Sequence, residues 1–207
     1  WGDYDNDGDL DVLVANGYPA AQANLFFLNN GDQTFTRVTN DTLVKVPGYH
    51  MGSAWGDFDN DGDLDLFVTT AYGPSAAKNE VFKNMLIETG TLSFQRGGTG
   101  DIANDVGWSY GCAWGDYDRD GDLDLFVAKT LNENENNALY RNDNANGNHW
   151  LEVRCVGLTS NRSGIGTKIR IKATINGQQR WQLREVDGQS GYCGQNLDLH
   201  FGLGNAT

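Results

Sequence analysis

Three short segments of this chain each crowd five aspartates into nine residues. They read WGDYDNDGDLDVLV from Trp1, WGDFDNDGDLDLFV from Trp55 and WGDYDRDGDLDLFV from Trp114. Two carboxylates about 4 Å apart repel each other by roughly 4 kcal/mol at an effective dielectric of about 20, so this crowding predicts a bound cation. Oxygen donors in a flexible loop favour Ca²⁺ over zinc or copper, which prefer nitrogen and sulfur. We therefore predict three calcium loops.

Four aspartates of each loop, at positions 1, 3, 5 and 9, are the predicted side-chain ligands. They are Asp3, Asp5, Asp7 and Asp11 in the first loop, Asp57, Asp59, Asp61 and Asp65 in the second, and Asp116, Asp118, Asp120 and Asp124 in the third. The fifth aspartate of each metal loop falls where such loops offer a backbone carbonyl, so its side chain is expected to point away; these residues are Asp9, Asp63 and Asp122. Gly8, Gly62 and Gly121 are predicted to form the turn, where a positive φ or a close backbone approach favours glycine.

The EF-hand is the main alternative, because its loop also opens Asp-x-Asp-x-Asp-Gly. That loop requires a bidentate Glu at position 12, where this chain has Val14, Val68 and Val127. The residues after the aspartates are short, β-branched and aromatic runs such as Leu-Asp-Leu-Phe-Val, which predict buried strands. The loops are therefore expected to join two strands, not two helices.

The acidity of the chain is local to these loops. The formal net charge is −13, and the loops alone hold 15 aspartates, which leaves the rest of the chain at +2. This balance does not favour nucleic acid, whose binding needs clustered Lys and Arg. No apolar run approaches the roughly 18 residues of a membrane span.

The chain has three cysteines, so one is unpaired whatever the others do. Cys112 aligns with Ser53 of the previous repeat and is expected to be a small buried residue. Cys155 and Cys193 lie in the same C-terminal segment, where a disulfide and two free thiols are both compatible with the sequence. No Cys-x-x-Cys or Cys/His grouping indicates zinc.

Internal repetition indicates the fold. The loop tryptophans are 54 and then 59 residues apart, and a second element recurs behind each of them at Asn24–Asn29, Asn79–Asn84 and Asn137–Asn142. Each unit offers about four short strands separated by turn residues, which is the content of one propeller blade. Ahead of the loops, Tyr49 aligns with Trp108 and His50 with Ser109. Trp108 is thus either a ligand platform or a blade-packing residue, and His50 is expected to be structural.

The aspartate loop, the Trp-Gly pair that precedes it and the element bounded by two asparagines together resemble the FG-GAP/VCBS repeat family over about residues 1–146. That resemblance implies a calcium-loop β-propeller of about seven blades, of which three loops would form a part. From residue 147 the pattern changes to alternating strands, with a hairpin turn at Asn176 and Gly177. Here Gly157–Gly166, Gly191–Asn196 and His200–Gly204 resemble the ASPIC/UnbV domain, with a departure at Cys193, where a small residue is usual.

The sequence therefore predicts an all-β protein: a partial β-propeller of four-stranded blades with calcium-binding hairpin loops (1–146), followed by a small antiparallel β-sandwich (147–207). Both ends are expected to fall inside domains, with the N-terminal part of the propeller and the last strand of the sandwich missing. Unpaired strands at such ends suggest assembly with copies of itself into a fibre or surface layer.

For function, the leading hypothesis is a secreted or cell-surface calcium-binding structural or adhesion module without catalytic activity. Its partner would be an extracellular protein, a glycan or another copy. The alternative is a glycan-binding lectin or a non-catalytic part of a polysaccharide-processing enzyme. His50, His149 and His200 are the only histidines, and none lies in a nucleophile motif. Sequons at Asn40, Asn161 and Asn205 are candidate N-glycan sites or chance occurrences.

Overall fold

The computed structural model describes residues 1–98, 100–129, 135–144, 146–159 and 161–206. Short antiparallel strands joined by turns rich in Gly, Asn and Asp form most of its regular structure, which confirms the all-β class. Within these ranges helical structure is limited to a 3₁₀ turn at Thr42–Val44, α1 at Leu86–Thr89 and α2 at Asp101–Asn104. None of the helices in this part of the chain is long and apolar enough to cross a membrane.

The N-terminal three quarters of the chain forms blade-like sheets. The strands are β1 (Val12–Val14), β2 (Gln22–Ala23), β3 (Leu25–Asn29), β4 (Phe35–Val38), β5 (Pro47–Gly48), β6 (His50–Gly56), β7 (Asp65–Thr70), β8 (Ala77–Lys78), β9 (Glu80–Asn84), β10 (Phe94–Arg96), β11 (Val106–Gly107), β12 (Ser109–Gly115), β13 (Asp124–Lys129) and β14 (Ala138–Tyr140). They pair in order as the sheets β1-β3-β4, β6-β7-β9-β10 and β12-β13-β14. The middle sheet has the four strands predicted for one blade. Two small ladders, β2–β5 and β8–β11, join consecutive blades.

The aspartate loops lie at the strand connections where they were expected. The second loop joins β6 to β7 and the third joins β12 to β13, and both pairs are antiparallel. The first loop leads into β1, where Gly2 and Asp11 form an isolated bridge. The loops therefore connect strands, which confirms the choice against an EF-hand.

Strand β7 shows why the run after each loop is so apolar. Leu66 and Val68 enter one buried cluster with Phe26 and Phe82 from the first and second blades, whereas Phe67 enters a second cluster on the opposite face. A blade between two others is covered on both faces, so successive residues of its central strand are all buried. Burying one such side chain contributes about 1.5–3 kcal/mol relative to exposing it. The equivalent Phe126 of the third blade is 43% exposed.

The C-terminal region contains β15 (His149–Arg154), β16 (Lys168–Ile175), β17 (Gln178–Glu185), β18 (Gln189–Ser190), β19 (Cys193–Gly194) and β20 (Asp198–Gly204). The ladders β15–β20 and β16–β17 flank a cluster formed by Val186, Leu199 and Phe201. The β16–β17 hairpin turns at Asn176 and Gly177, whose φ values of 51° and 74° are those of the tight turns that Asn-Gly favours. The predicted hairpin is thus confirmed.

The cysteines do not pair as one reading of the sequence suggested. A disulfide between Cys155 and Cys193 is absent from the described part of the chain, where all three cysteines are free. Cys193 points instead into the cluster between the second and third blades, beside Cys112. Cys112 is buried, as its alignment with Ser53 predicted.

Candidate metal centre

The three aspartate loops follow the same backbone course. The residues at position 4 all have left-handed φ values: Asn6 (58°), Asn60 (60°) and Arg119 (64°). The glycines at position 6 also have positive φ: Gly8 (98°), Gly62 (110°) and Gly121 (94°). Glycine occupies this region without a steric penalty, so the expectation for these three glycines is confirmed.

The aspartate at position 9 ties each loop to its blade. In the second loop, the carboxylate of Asp65 accepts the backbone N–H of Phe58 at 3.1 Å and that of Asn84 at 2.9 Å. Asp11 accepts the N–H groups of Tyr4 and Asn29, and Asp124 accepts those of Tyr117 and Asn142, at 2.8–3.0 Å. This carboxylate therefore positions both the start of the loop and the next strand.

The aspartate at position 1 organises the turn from inside. Asp57 accepts the backbone N–H of Asp61 at 3.0 Å and of Gly62 at 2.9 Å. Asp116 accepts the equivalent N–H of Gly121 at 2.9 Å, and Asp3 accepts that of Gly8 at 3.3 Å. The turn thus folds around this carboxylate.

Three carboxylates converge in each loop, with oxygen atoms within 4.8 Å of one another. The converging sets are Asp3, Asp5 and Asp11 in the first loop, Asp57, Asp59 and Asp61 in the second, and Asp116, Asp118 and Asp124 in the third. Every member belongs to the four positions that the sequence indicated. Asp7, Asp65 and Asp120 lie outside these sets.

The aspartates at positions 5 and 7 bind backbone groups. At position 5, Asp7 accepts the N–H of Asp9 at 2.8 Å, and Asp61 and Asp120 make the equivalent bond. At position 7, Asp63 accepts the N–H of Ile87 at 2.9 Å, and Asp122 accepts that of Asn144 at 2.8 Å. Asp63 nevertheless also forms a second acidic group with Asp61 and Glu88.

Burial makes ionisation of several of these carboxyls unfavourable. It raises the pKa of Asp3 to about 6 and that of Asp11 to about 7. In the second loop, burial and then repulsion from neighbouring aspartates raise the pKa of Asp61 to about 10 and that of Asp65 well above its usual range. A cation among them would reverse both effects, because it stabilises the charged form.

The second loop also has a positive side chain beside it. Lys83 forms ion pairs with Asp59, with Asp61 at 3.5 Å and with Glu88 at 2.5 Å. Burial alone would lower the pKa of Lys83, but the hydrogen bonds with Asp59 and Glu88 outweigh it and raise that pKa. The aligned residue of the third repeat, Arg141, pairs with Asp143. The two loops therefore differ in how much of their charge the protein itself neutralises.

The residues present fit a hard cation. The donors that converge are all carboxylate oxygens, as Ca²⁺ prefers. In the second loop, Oδ1 of Asp59 and Oδ1 of Asp63 are buried without a hydrogen-bond partner among the described residues. A buried polar atom of this kind costs free energy unless something binds it. Asp57, Asp59 and Asp61 are the residues that would hold the ion, and the ion would supply charge neutralisation and cross-linking.

Comparison with known proteins is consistent with this geometry. Residues 3–68 match the FG-GAP-like repeat, and residues 157–207 match the ASPIC and UnbV domain. This chain carries an FG-GAP-like repeat followed by an ASPIC/UnbV domain. The resemblance drawn from the sequence is therefore confirmed. The FG-GAP-like match ends within β7, so the third loop lies beyond it although its backbone course is the same.

Similarity to relatives extends over nearly the whole chain. Cartilage acidic protein 1 of Homo sapiens is 27% identical over 206 residues, which cover 98% of this chain and 30% of the relative. The proteins of the same name from Mus musculus and Xenopus tropicalis are 27% and 28% identical, again over 98% of this chain. The chain thus spans about a third of the length of these relatives.

The ASPIC/UnbV domain lies directly on the first two FG-GAP loops. The backbone N–H of Leu183 donates to Oδ2 of Asp3 at 3.1 Å, and the N–H of Gly204 donates to the carbonyl of Asn60 at 2.8 Å. His200 is hydrogen-bonded to Asn60 through Nε2 at 2.6 Å. A Cβ at Gly202 would lie 2.0 Å from Oδ2 of Asp57, so only glycine permits this approach. The loops are therefore also an interdomain contact.

A buried arginine accompanies this contact. Arg184 is almost fully buried, and its guanidinium lies over the Phe201 ring at 5.3 Å. Burial lowers its pKa, while the charges of Asp57 and then Asp3 act in the opposite direction. The ASPIC/UnbV domain thus brings the buried charge of Arg184 close to the first two loops, and the guanidinium of Arg170 lies beside Gly8 of the first loop.

Sequence reasoning missed the residues that connect one loop to the next. The side-chain amide of Asn6 donates to the carbonyl of Gly62 at 2.9 Å, and that of Asn60 donates to the carbonyl of Gly121 at 3.0 Å. Asn84 and Asn142 likewise donate from their side chains to Tyr4 and Phe58 of the preceding blade. The recurrence of these asparagines was visible in the sequence, but their partners belong to other repeats.

Proposed function

We propose that this chain is a non-catalytic extracellular module in which Ca²⁺ stabilises the FG-GAP loops and, through them, the docking of the ASPIC/UnbV domain. The observation that carries the proposal is the convergence of three carboxylates in each of three loops, two of which accept backbone hydrogen bonds from the C-terminal domain. Calcium would relieve the repulsion among carboxylates that also receive backbone hydrogen bonds. Loop order and domain docking would then be coupled.

The expected contribution of calcium is moderate at each site. Free ion at about ten times its Kd adds roughly 1.4 kcal/mol per site when only the folded state binds it. Loops of this acidic type in extracellular modules bind with Kd of roughly 0.1–1 mM. Such affinity suits an environment rich in calcium. The relatives are named for cartilage, which also supports an extracellular location.

A structural role also accounts for two of the three histidines. Nδ1 of His50 is hydrogen-bonded to Asn24 at 2.8 Å in a buried position, and His200 bonds Asn60 and stacks on Trp150. Burial lowers the pKa of both rings to about 4. Both side chains therefore serve packing, as was expected for His50, and this supports a module without catalysis.

Thermal unfolding of the protein in calcium, in EGTA and after restoring calcium tests the proposal. We expect EGTA to lower Tm by about 5 °C or more, reversibly, because each lost site removes more than 1 kcal/mol. Asp5→Asn should reduce the calcium-dependent part of Tm, whereas Asp143→Asn, which removes an exposed charge outside the loops, should not. An unchanged Tm in EGTA would contradict the proposal.

A second candidate function, glycan binding, is favoured by a group of aromatic rings. Tyr72 packs at 5.7 Å from Tyr18, 5.9 Å from Trp108 and 5.0 Å from Tyr110, and Tyr18 and Tyr72 are exposed. Trp108 thus packs within the blades, as one reading predicted, yet lies beside exposed rings on which a sugar could stack. A glycan array at millimolar calcium tests this, with Tyr18→Ala as the variant that should lose any signal.

Self-assembly and N-glycosylation are two further proposals for this module. Asn40, Asn161 and Asn205 are all exposed, which supports their use as glycan acceptors. Light scattering with and without calcium tests assembly, and mass spectrometry of the native protein before and after glycosidase treatment tests the three asparagines. Particles of monomer mass in both conditions would contradict assembly.

A further inference from the structure

Two cysteines that are distant in sequence meet at the contact between the propeller and the C-terminal domain. Cys112 lies on β12 of the third blade, and Cys193 lies on β19 of the ASPIC/UnbV domain, 81 residues further along. Their Sγ atoms are 3.3 Å apart. Both side chains are buried, with exposures of 4% and 0%. This contact is separate from the aspartate loops.

The fold is shaped to admit Cys193 at this position. A Cβ at Gly52 on β6 would lie 2.7 Å from Sγ of Cys193, and a Cβ at Gly111 on β12 would lie 2.3 Å from the carbonyl oxygen of Tyr192. Any larger residue at either glycine would displace the turn that carries Cys193. The second and third blades together therefore form the pocket that this turn occupies, and Cys112 lies beside Cys193 in it.

We propose that Cys112 and Cys193 form a disulfide that covalently joins the third blade to the ASPIC/UnbV domain. A disulfide needs an S–S distance of about 2.05 Å, so the two Sγ atoms would have to approach by roughly 1.3 Å. The inference does not depend on calcium binding. It is specific to this pair, because Cys155 lies in the separate cluster around Phe201.

The chemistry is thiol–disulfide exchange with a small-molecule disulfide such as oxidised glutathione. The Cys193 thiolate attacks one sulfur of that disulfide, forms a mixed disulfide and releases one thiolate. The Cys112 thiolate then attacks the Cys193 sulfur and displaces the second glutathione thiolate, so two protein thiols are oxidised as one glutathione disulfide is reduced. Because the folded pair is buried, the exchange takes place during folding, before β19 docks.

In the folded protein the contact makes the two thiols unequal. The thiol of Cys112 lowers the pKa of Cys193 by hydrogen bonding to its sulfur, burial opposes this, and the backbone N–H groups of Cys112 and Ser53 act in the same direction as the thiol. The same contact raises the pKa of Cys112. Because this contact forms only when β19 docks, it does not decide which thiol attacks glutathione first, and the reverse order of attack gives the same disulfide.

The test is to fold the protein in calcium with reduced and oxidised glutathione, alkylate it under denaturing, non-reducing conditions, and map its disulfides. We expect one alkylated cysteine, Cys155, and a linked pair of tryptic peptides, residues 97–119 with the peptide that begins at residue 185. Three alkylated cysteines, or a link that involves Cys155, would overturn the proposal. The mapping uses the unmodified sequence, so it does not depend on a variant that folds.

Matched variants measure how much the disulfide stabilises the protein. Cys112→Ser restores the residue found at the aligned position of the second repeat, Ser53, and Cys155→Ser is the control. Closing a loop of this length should raise Tm by on the order of 5–10 °C, so Cys112→Ser should lower Tm by that amount relative to the oxidised protein. After complete reduction, the unmodified protein and Cys112→Ser should unfold within about 2 °C of each other. A loss that persists undiminished after reduction would show that Cys112 acts only by packing.

Discussion

The second and third aspartate loops have nearly the same sequence and the same backbone course, yet they lie in different surroundings. Asp57, Asp61, Asp63 and Asp65 of the second loop are all buried, whereas only Asp124 of the third loop is. The second loop is covered by β20 and approached by Lys83, whereas the C-terminal region reaches the third loop through Trp150 of β15, which lies beside Gly121. Local sequence therefore determines the shape of a loop, whereas the neighbouring blade and domain determine its electrostatics.

The difference has a consequence for metal binding. Burial makes the carboxylates of the second loop costly to ionise. A bound cation there would offset that cost, because it stabilises the charged form of the carboxylates. The third loop is solvated, so its charges are partly screened with or without an ion. We expect the second loop to dominate the calcium dependence of the protein, and the following predictions test this comparison.

The largest expected effect is the dependence of the calcium-free protein on pH. The folded-state pKa values of Asp3, Asp11 and Asp63, about 6, 7 and 7, lie above the unfolded value of 3.8. The folded state thus holds more protons between about pH 4 and pH 7, and stability falls as pH rises through that window. Above pH 5 the three groups keep their extra protons over about 1, 2 and 2 pH units, so in EGTA we expect the free energy of unfolding to fall by at most about 7 kcal/mol from pH 5 to pH 8, at about 1.4 kcal/mol per unit. Urea denaturation at each pH measures this.

Asp63→Asn should reduce that pH dependence by about two fifths, because Asp3 and Asp11 of the first loop still titrate, whereas Asp122→Asn, the same position in the third loop, should change it less. In saturating calcium the dependence should largely disappear, because the bound ion holds the loop carboxylates deprotonated. A stability that instead rose from pH 5 to pH 8 in EGTA would contradict the assignment of these buried acids.

Removing a carboxylate at position 1 is the next largest effect. Asp57→Asn replaces an acceptor of two backbone N–H groups in a buried site and leaves those donors poorly paired, so we expect a loss of about 3 kcal/mol in calcium. Asp116→Asn makes the same change in a half-buried position and should cost about 1 kcal/mol. Urea denaturation of both variants in calcium gives the difference. Equal losses would mean that the surroundings do not matter.

Gly202→Ala tests the cover over the second loop. Its Cβ would lie 2.0 Å from Oδ2 of Asp57 and 2.6 Å from the backbone of Asn60, so β20 would have to move away. We expect a loss of about 2 kcal/mol, the usual scale for overpacking, together with a weaker dependence of Tm on calcium. Gly194→Ala is the control, because its nearest contact would be an ordinary 3.9 Å. A tolerated Gly202→Ala would show that the contact is not close.

Lys83→Met tests whether a protein cation competes with calcium in the second loop. Removing a charge that pairs with Asp59 and Asp61 should raise the calcium affinity of that loop about tenfold, since one charge at about 4 Å is worth more than 1.4 kcal/mol at an effective dielectric of about 20. Arg141→Met changes the aligned residue, which pairs outside the loop, and should leave calcium affinity unchanged. Titration calorimetry compares the two variants, and an unchanged affinity in Lys83→Met would remove Lys83 from the site.

The four-stranded blade and the convergence of carboxylates within each loop could be predicted because they are local. The loop spacing and the apolar run after each loop lie within about 30 consecutive residues, and the period of two specifies the pairing faces. The loop tryptophans recur every 54 and 59 residues, which makes the repeat visible in the sequence alone. The Asn-Gly turn between β16 and β17 is likewise encoded by two residues.

The covering of the loops could not be predicted from the sequence, because its partners are far apart in the chain. In the sequence, Gly202 is an ordinary strand glycine, and only the structure shows that it lies against Asp57. The backbone N–H of Leu183 likewise donates to Asp3 across 180 residues. A disulfide between Cys155 and Cys193 was one of two alternatives that the sequence allowed, because the two residues share a segment, whereas the fold brings Cys193 to Cys112. Contacts between domains leave no periodic signal in one sequence.

The smallest effect concerns the residue at position 4. Arg119 has φ of 64° without the short polar side chain that makes this conformation acceptable for Asn6 and Asn60. Arg119→Asn should therefore stabilise the third loop by about 0.5 kcal/mol. Asn60→Ala should cost about 1–2 kcal/mol, because it removes the amide that reaches Gly121 as well as the favourable residue. Urea denaturation in calcium resolves both changes. If Arg119→Asn were destabilising, the difference between the loops would lie in the contacts of Arg119 rather than in its backbone.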